Sequence, residues 1–195
     1  MEEFIRSTLE EAQKALQVLL ADKDTQKAIA RAGELLIATF KSGGRVFSCG
    51  NGGSMCDAMH FAEELSGRYR LNRAALAAVA ISDAGYISCV ANDYGYEHVF
   101  SRYLEAHAKA GDVLLAISTS GKSKNVLAAA EAAKKLGVKV IGLMGSADTP
   151  LGNASDIRIA TPAGVFADRV QELHIKIIHI LIELVERSMF PENYK

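Results

Sequence analysis

Hydrophobic residues recur at helical spacing through the first forty residues of the chain. In the first helix they are Ile5, Leu9, Ala12, Leu16, Leu19 and Leu20, with Glu, Gln and Lys between them. A second helix is predicted after Asp24, and Gly43-Gly44 ends it. Because both helices precede any strand pattern, residues 1–42 are predicted to be an N-terminal helical extension of the domain that follows.

After Arg45 the pattern changes to short apolar runs that alternate with helical stretches. The predicted strands are Val46–Cys49, Leu76–Ile81, Val113–Ser118, Val138–Leu143 and Ile157–Ala160, with helices at Ser54–Arg68 and Lys124–Leu136 among the segments between them. Continuous apolar strands that alternate with helices are typical of an α/β fold, in which helices cover both faces of a parallel sheet. We therefore expect one domain over residues 1–195, with its α/β core at 43–195. Ligands of such sheets bind beyond the carboxyl ends of the strands.

The last predicted helix runs from about Ala167 to Arg187. Its second half is apolar nearly all round, at Ile175, Ile177, Ile178, Ile180, Leu181, Ile182 and Leu184. A helix of this kind is buried on every side. In so small a domain we expect a subunit interface to supply part of the cover, and hence a homo-oligomer.

Composition narrows the class of protein further. The 195 residues are 49% hydrophobic and 23% charged, which suits one ordinary globular domain. A formal net charge of -1 and the absence of Trp argue against nucleic-acid binding, because neither a basic face nor a stacking platform is indicated. The three cysteines form no CxxC pair, and neither a signal peptide nor a membrane-length apolar run is found. We expect a cytoplasmic protein with no membrane partner.

A glycine-rich loop, Gly50-Asn51-Gly52-Gly53-Ser54, follows the first predicted strand and opens a helix. Glycines let the backbone approach a ligand, and the free N–H groups of a helix start attract an anion. A dinucleotide fingerprint would need glycine in place of Met55, so NAD is disfavoured.

A second loop, Ser118-Thr119-Ser120-Gly121-Lys122-Ser123, follows another predicted strand. Its four hydroxyls and its backbone amides can donate to all the oxygens of a phosphate monoester. A nucleotide-binding P-loop would need glycine in place of Ala116, which disfavours an NTPase. Both loops can also be ordinary turns with helix N-caps. Their joint occurrence after buried strands favours anion binding.

His60 and Glu64 lie four residues apart on the helix that grows out of the glycine loop, hence on one face. Together they can bind a metal ion or move protons, although such a pair is also common on exposed helices. Gln171 and His179 on the last helix lie near one face, and the neighbours of His179 predict that it is buried.

Four segments carry a resemblance to a known family: SCGNGGSMCDAMHFAEELSGRY, ISDAGYISCVANDYGY, AISTSGKSKNV and ADRVQELHIKIIHILIELVE. They resemble the bacterial phosphoheptose isomerases, which belong to the sugar isomerase (SIS) domain family, and the similarity spans nearly the whole chain. The resemblance implies a three-layer, flavodoxin-like sandwich with a five-stranded parallel sheet, and a homotetramer. It also implies an aldose–ketose isomerase that converts sedoheptulose 7-phosphate to D-glycero-D-manno-heptose 7-phosphate, the first step of ADP-heptose and lipopolysaccharide biosynthesis.

The resemblance also implies roles for individual residues. The sugar phosphate would contact Asn51, Gly52, Gly53, Glu64, Asn92, Asp93, Ser118, Thr119, Ser120, Ser123 and Gln171. One zinc ion per subunit would be held by His60, Glu64, Gln171 and His179. Glu64 and His179 would be the catalytic acid/base groups. Met55 departs from relatives that carry histidine there, outside the ligand set.

Two further possibilities remain open at this stage. Related SIS proteins include a non-catalytic regulator that associates with the bacterial replication initiator, and such a protein needs no acid/base groups. The joint presence of His60, Glu64 and His179 favours the enzyme. The second possibility keeps the isomerase chemistry but changes the sugar. The length of the sugar depends on the shape of the pocket, which these motifs do not encode.

Overall fold

The computed structural model describes residues 1–161, 164 and 166–195. The helices are α1 Glu2–Ala21, α2 Lys23–Lys41, α3 Gly53–Ser66, α4 Ala84–Tyr94, α5 Ser101–His107, α6 Lys124–Lys135, α7 Pro150–Ala154 and α8 Ala167–Met189. The strands are β1 Val46–Cys49, β2 Ala78–Ala80, β3 Val113–Ser118, β4 Lys139–Met144 and β5 Ile157–Ala160. Short 3₁₀ turns cover Tyr96–His98 and Pro191–Tyr194.

The five strands form one parallel sheet in the order β2-β1-β3-β4-β5, which confirms the predicted fold class. From β1 the chain first moves outward to β2, and β3, β4 and β5 then extend the sheet in the opposite direction. β1 and β3 are neighbours, with Cys49 beside Ala116 at their carboxyl ends. The loops after these two strands therefore lie side by side at the point where the strand order reverses, which is where sheets of this kind bind ligands.

Helices cover both faces of the sheet, and β3 is buried throughout. On one face Leu115 packs in a core with Phe61 of α3 and Ile178 of α8. On the other face Leu114 packs with Phe100 and with Val126 of α6. A strand buried on both faces must be apolar at every position, which explains the continuous hydrophobic runs in the sequence.

Most of the predicted boundaries differ from the structure by a few residues at most. Relative to its length β2 differs most, as an edge strand of three residues that pairs only with β1. The second helix begins at Lys23 and not after Asp24, because the Asp22 carboxylate is its N-cap. That carboxylate accepts hydrogen bonds from the backbone N–H groups of Asp24 and Thr25, both at 3.0 Å, which lower the pKa of Asp22.

The prediction that α8 needs a second subunit for its cover was wrong for most of the helix. Ile177, Ile178, Leu181 and Ile182 are inaccessible within one chain, where α8 packs on α2, α3 and α1. Six of the exposed large apolar side chains lie instead on α1, at Phe4, Ile5, Leu9, Leu16, Val18 and Leu20. None of the helices within residues 1–161 or 166–195 has the combination of length and apolar character needed to cross a membrane.

Candidate active site

The loop after β1 is tied to the start of α6 by paired side-chain amides. The Asn51 Nδ2 group donates to Asn125 Oδ1 at 2.9 Å, and Asn125 Nδ2 donates back to Asn51 Oδ1 at 2.8 Å. The Tyr96 hydroxyl also donates to Asn51 Oδ1 at 3.1 Å. Gly52 adopts a φ of 55°, so the turn into α3 uses a backbone conformation that favours glycine. These contacts fix the glycine loop beside the serine loop.

The loop after β3 is closed by its own hydroxyls. The Ser118 and Ser123 Oγ atoms are 2.9 Å apart and share a hydrogen bond, and Ser120 Oγ accepts from the Lys122 backbone N–H at 3.2 Å. Gly121 has a φ of 64°, and a Cβ there would lie 2.4 Å from Thr149 Oγ1. Glycine at this position therefore permits both the turn and its close packing against the loop after β4.

A cavity of about 580 Å³ opens next to the serine loop. Its lining includes Thr119, Ser120, Lys122, Gly145, Ser146, Asp148, Thr149, Phe166, Ala167 and Val170. Ala167 and Val170 belong to the first turn of α8, a helix of 23 residues. The start of this helix directs its free N–H groups and its positive dipole end toward the cavity. With the Lys122 cation and the hydroxyls of Thr119 and Ser120, this part of the lining suits a phosphate group.

A second group of polar side chains lies where α3 packs on α8. The Nε2 atoms of His60 and His179 are 2.9 Å apart, and Glu64 Oε1 lies 3.7 Å from His60 Nε2. Three residues predicted from two distant segments are thus brought together. Because both histidines present Nε2 to the same point, the cluster can hold a proton or a cation between them.

Burial sets the acid/base properties of this cluster. It raises the pKa of Glu64, with the neighbouring His60 acting in the opposite direction, and so makes the carboxylate a stronger base. Burial also lowers the pKa of His179, which favours the neutral imidazole near neutral pH. His179 is only partly buried, contrary to expectation. The fully buried histidine of α8 is His174, whose pKa is lowered to about 4 by burial.

Glu63 belongs to the same cluster, although the sequence reasoning did not select it. Its Oε1 atom lies 2.9 Å from His60 Nδ1. A carboxylate at Nδ1 holds the proton on that nitrogen and leaves Nε2 free as a lone-pair donor. The spacing of three residues from His60 on a helix is the signal that identifies this partner.

Gln171 is placed at the glycine loop, away from the histidines. A Cβ on Gly53 would lie 2.4 Å from Gln171 Nε2, so the first turn of α3 packs directly on this side chain. Gln171 and His179 are eight residues apart on α8, which is about 12 Å along the helix axis. Within one chain Gln171 therefore lies with the glycine loop and does not join the cluster.

Asn92 and Asp93 lie exposed near the end of α4. Asn92 Nδ2 donates to Asp93 Oδ1 at 2.8 Å, and Cys89 Sγ lies 3.7 Å from Asp93 Oδ2. Across the part of the chain that the structure describes, no hydrogen bond joins either residue to the two loops.

The donor set at the histidine cluster fits a zinc ion. Ligand atoms of His60, Glu63 and Glu64 all lie within 4.8 Å of one another, and His179 faces His60 from α8. Zinc accepts imidazole nitrogen and carboxylate oxygen. The contact of Glu63 with the other ring nitrogen of His60 is the kind of support that metal-binding histidines receive.

The strand order places the two loops side by side at the switch point of the sheet. Residues 9–145 match the family model of the SIS domain, which gives the class of protein. Over 188 residues the chain is 56% identical to the phosphoheptose isomerase of Enterobacter sp. (strain 638), covering 96% of this chain and 98% of that protein. The solved phosphoheptose isomerases of Neisseria gonorrhoeae and Francisella tularensis superpose with a TM-score of 0.87 each. They are 35% and 34% identical to this chain over 95% of its length, and the match covers 98% and 97% of theirs. The chain belongs to the phosphoheptose isomerase family of SIS-domain proteins.

The packing of Gly53 on Gln171 is open to a double-mutant cycle. Gly53→Ala should cost up to about 1 kcal/mol, because the added methyl group displaces the flexible Gln171 amide, and the better helix propensity of alanine offsets part of that cost. In the Gln171→Ala background the same change should cost much less, because the obstructing amide is gone. Thermal unfolding of the four proteins measures the coupling, and equal costs in both backgrounds would contradict the contact.

Proposed function

We propose that the protein is an aldose–ketose isomerase that interconverts sedoheptulose 7-phosphate and D-glycero-D-manno-heptose 7-phosphate. The observation that carries the proposal is the meeting of His60, Glu64 and His179 across α3 and α8. It occurs in a chain 56% identical over 188 residues to a phosphoheptose isomerase. That family relationship makes the protein an enzyme of this class, and the cluster supplies the groups that the reaction needs.

Isomerisation moves a proton between neighbouring carbons. A base removes a proton from C1 of the ketose, an enediol forms, and C2 is then protonated from the same side. We assign this role to Glu64, because its carboxylate is sheltered and has a raised pKa, yet its side chain is still 18% exposed to the site. A single carboxylate near both carbons is sufficient.

A second group must transfer a proton between the two oxygens, O1 and O2. His179 suits this role, because a neutral imidazole both accepts and donates and its lowered pKa favours the neutral form. The Tyr69 ring lies beside the imidazole, with centroids 5.8 Å apart, and helps to fix the plane of the ring.

The substrate phosphate is assigned to the two loops, with Thr119 and Ser120 lining the cavity and Ser118 and Ser123 shaping the loop from behind. Asn51, Gly52, Gly53 and Gln171 border the same region, and Asn92 and Asp93 are assigned to substrate as exposed polar groups. Gly53 and His60 are seven residues apart on α3, about 10 Å along the axis. A seven-carbon chain with its phosphate at C7 and its reacting carbons at C1 and C2 has a similar length.

One zinc ion per subunit is part of this proposal. His60, Glu64 and His179 would hold it, and Gln171 could complete the set only from a second subunit, because it lies too far along α8 in the same chain. Such an ion supplies a Lewis acid for the negative charge that develops on the enediol oxygens. The chain itself orients His60 through Glu63, and it provides the proton-transfer groups.

A homotetramer in the cytoplasm is the assembly and location we propose. The exposed apolar side chains of α1, such as Phe4 and Leu9, favour a second copy as their cover. A role at the start of lipopolysaccharide heptose synthesis follows from the proposed substrate and product.

A non-catalytic regulator that binds phosphosugars and associates with the replication initiator is not favoured. Such a protein needs the cradle for the phosphate but not an aligned pair of histidines with a sheltered carboxylate. The nearly full-length similarity is to phosphoheptose isomerases.

The direct test follows sedoheptulose 7-phosphate by proton NMR in deuterium oxide, which reports both aldose formation and exchange of the C1 proton. The parent protein should form the aldose. Glu64→Gln should slow turnover and C1 exchange by about 10²–10⁴-fold, as expected for loss of a general base. Glu63→Gln is the matched control, because it neutralises the adjacent carboxylate while leaving the proposed base in place, and it should retain far more activity.

Metal content is measured in each variant, since an amide is a weaker zinc ligand than a carboxylate. If zinc-loaded Glu64→Gln exchanges the C1 proton at the parental rate, Glu64 is not the base. A parent protein that forms no aldose would remove the proposed function itself.

Metal removal gives an independent prediction. Dialysis against a chelator should abolish most of the activity, and stoichiometric zinc should restore it, because the enediol oxygens lose their charge stabilisation. Elemental analysis of the dialysed protein is the control for complete removal. Full turnover by protein shown to be metal-free would contradict the zinc assignment.

A further inference from the structure

The last turn of α3, which contains Glu64, is capped by one buried arginine. The Arg73 side chain is inaccessible to solvent. Its Nη1 group donates to the carbonyls of Leu65 at 2.8 Å and Gly67 at 2.9 Å, and its Nη2 group donates to the carbonyl of Glu64. The final carbonyls of a helix have no donor within the helix, and they lie at the negative end of its dipole. A cation here both donates hydrogen bonds to these carbonyls and interacts favourably with the dipole.

The same guanidinium reaches α8. Arg73 Nε donates to Glu186 Oε1 at 2.8 Å, and the side chain of Glu186 is 1% exposed. The second oxygen, Oε2, accepts from the Tyr194 hydroxyl at 2.7 Å, so both carboxylate oxygens have partners. The contact joins the end of α3 to α8 seven residues, about two turns, beyond His179.

The position of this contact matters because the acid/base cluster has two halves. His60 and Glu64 belong to α3, whereas His179 belongs to α8. Apolar packing between the helices is compatible with small sliding motions, but a planar guanidinium that bonds carbonyls of one helix and a carboxylate of the other fixes their relative position. The carbonyl of Glu64 is itself one of the bonded groups.

We propose that Arg73 is a positioning residue for isomerisation, holding Glu64 and His60 of α3 in register with His179 of α8. Within the described residues its hydrogen bonds go to main-chain carbonyls and to Glu186, and none reaches a side chain of the cluster or the loops assigned to the phosphate. The inference rests on the proposed function. It predicts an effect of Arg73 on turnover without an effect on substrate binding. Loss of the guanidinium hydrogen bonds to α3 and Glu186 should impair proton transfer while the phosphosugar still binds.

The first test is Arg73→Lys. An ammonium group keeps the charge beside Glu186, but it cannot span that carboxylate and the carbonyls of Glu64, Leu65 and Gly67 at once. Turnover should fall about 10–100-fold, the range expected when reacting groups are displaced by a fraction of an ångström to 1 Å. The dissociation constant for heptitol 7-phosphate, a reduced substrate that cannot isomerise, should stay at the parental value. Calorimetry measures that binding.

The second test separates positioning from stability. Arg73→Met/Glu186→Leu removes both charges, and replacing a buried ion pair by apolar side chains tends to preserve folding. Because the helix-end carbonyls lose their donor, this protein should melt below the parent but above Arg73→Met alone, in which Glu186 stays buried without its partner, and it should still show the low turnover of Arg73→Lys. Arg187→Met is the control, because Arg187 bonds Glu183 and stacks on Tyr194 without contact to α3, and it should leave turnover unchanged.

The outcomes are distinct. Reduced turnover with parental phosphosugar affinity in both Arg73 variants supports the inference. Parental turnover in either folded variant overturns it, and so does a loss of affinity that parallels the loss of turnover, which would make Arg73 a general scaffold residue. A parent protein that is itself inactive would instead remove the proposed function.

Discussion

The packing of α3 between the sheet and α8 is the constraint on which the candidate site depends. The helix starts at the glycine loop after β1, where it contacts Gln171, and it carries His60 and Glu64 to the surface of α8. Phe61 and Leu65, on the adjacent face of the same turns, are inaccessible in the core. Burial of these apolar side chains therefore determines the direction in which the polar ones project, and one helix connects the glycine loop to the histidine cluster.

Burial also divides the polar groups of α8 into different roles. His174 is fully enclosed, and the lowered pKa holds it neutral. His179, five residues later, lies at the edge of the packed surface and faces His60. Their local sequences are similarly apolar, so the difference in their surroundings arises from the neighbouring helix and not from the residues adjacent in the chain. The same interface accommodates the charged side chains of Arg73 and Glu186 because each has several hydrogen-bond partners.

Most of the fold and the centre of the candidate site could be predicted from the sequence. Continuous apolar runs located β1, β3 and β4, which are buried on both faces, and shorter runs located the edge strands β2 and β5. The helical spacing of four placed His60 and Glu64 together. The limits have equally physical causes. β2 is short because an edge strand has one neighbour, and the exposure of His179 and the position of Gln171 depend on helix packing. Glu63 was within reach of sequence reasoning through its spacing from His60. Arg73 was not, because its side-chain partner Glu186 lies 113 residues away and its other partners are main-chain carbonyls.

The central claim is that phosphate is held at one end of α3 and chemistry takes place at the other. Saturation kinetics of Ser120→Ala test it most directly, because this hydroxyl lines the cavity and lies apart from the histidine cluster. Loss of a hydrogen bond to a charged phosphate should raise KM about 10–100-fold. Because that contact is the same in ground and transition states, kcat should stay at the parental value. A fall in kcat as large as the rise in KM would contradict the account, since it would place the serine loop in the chemical step.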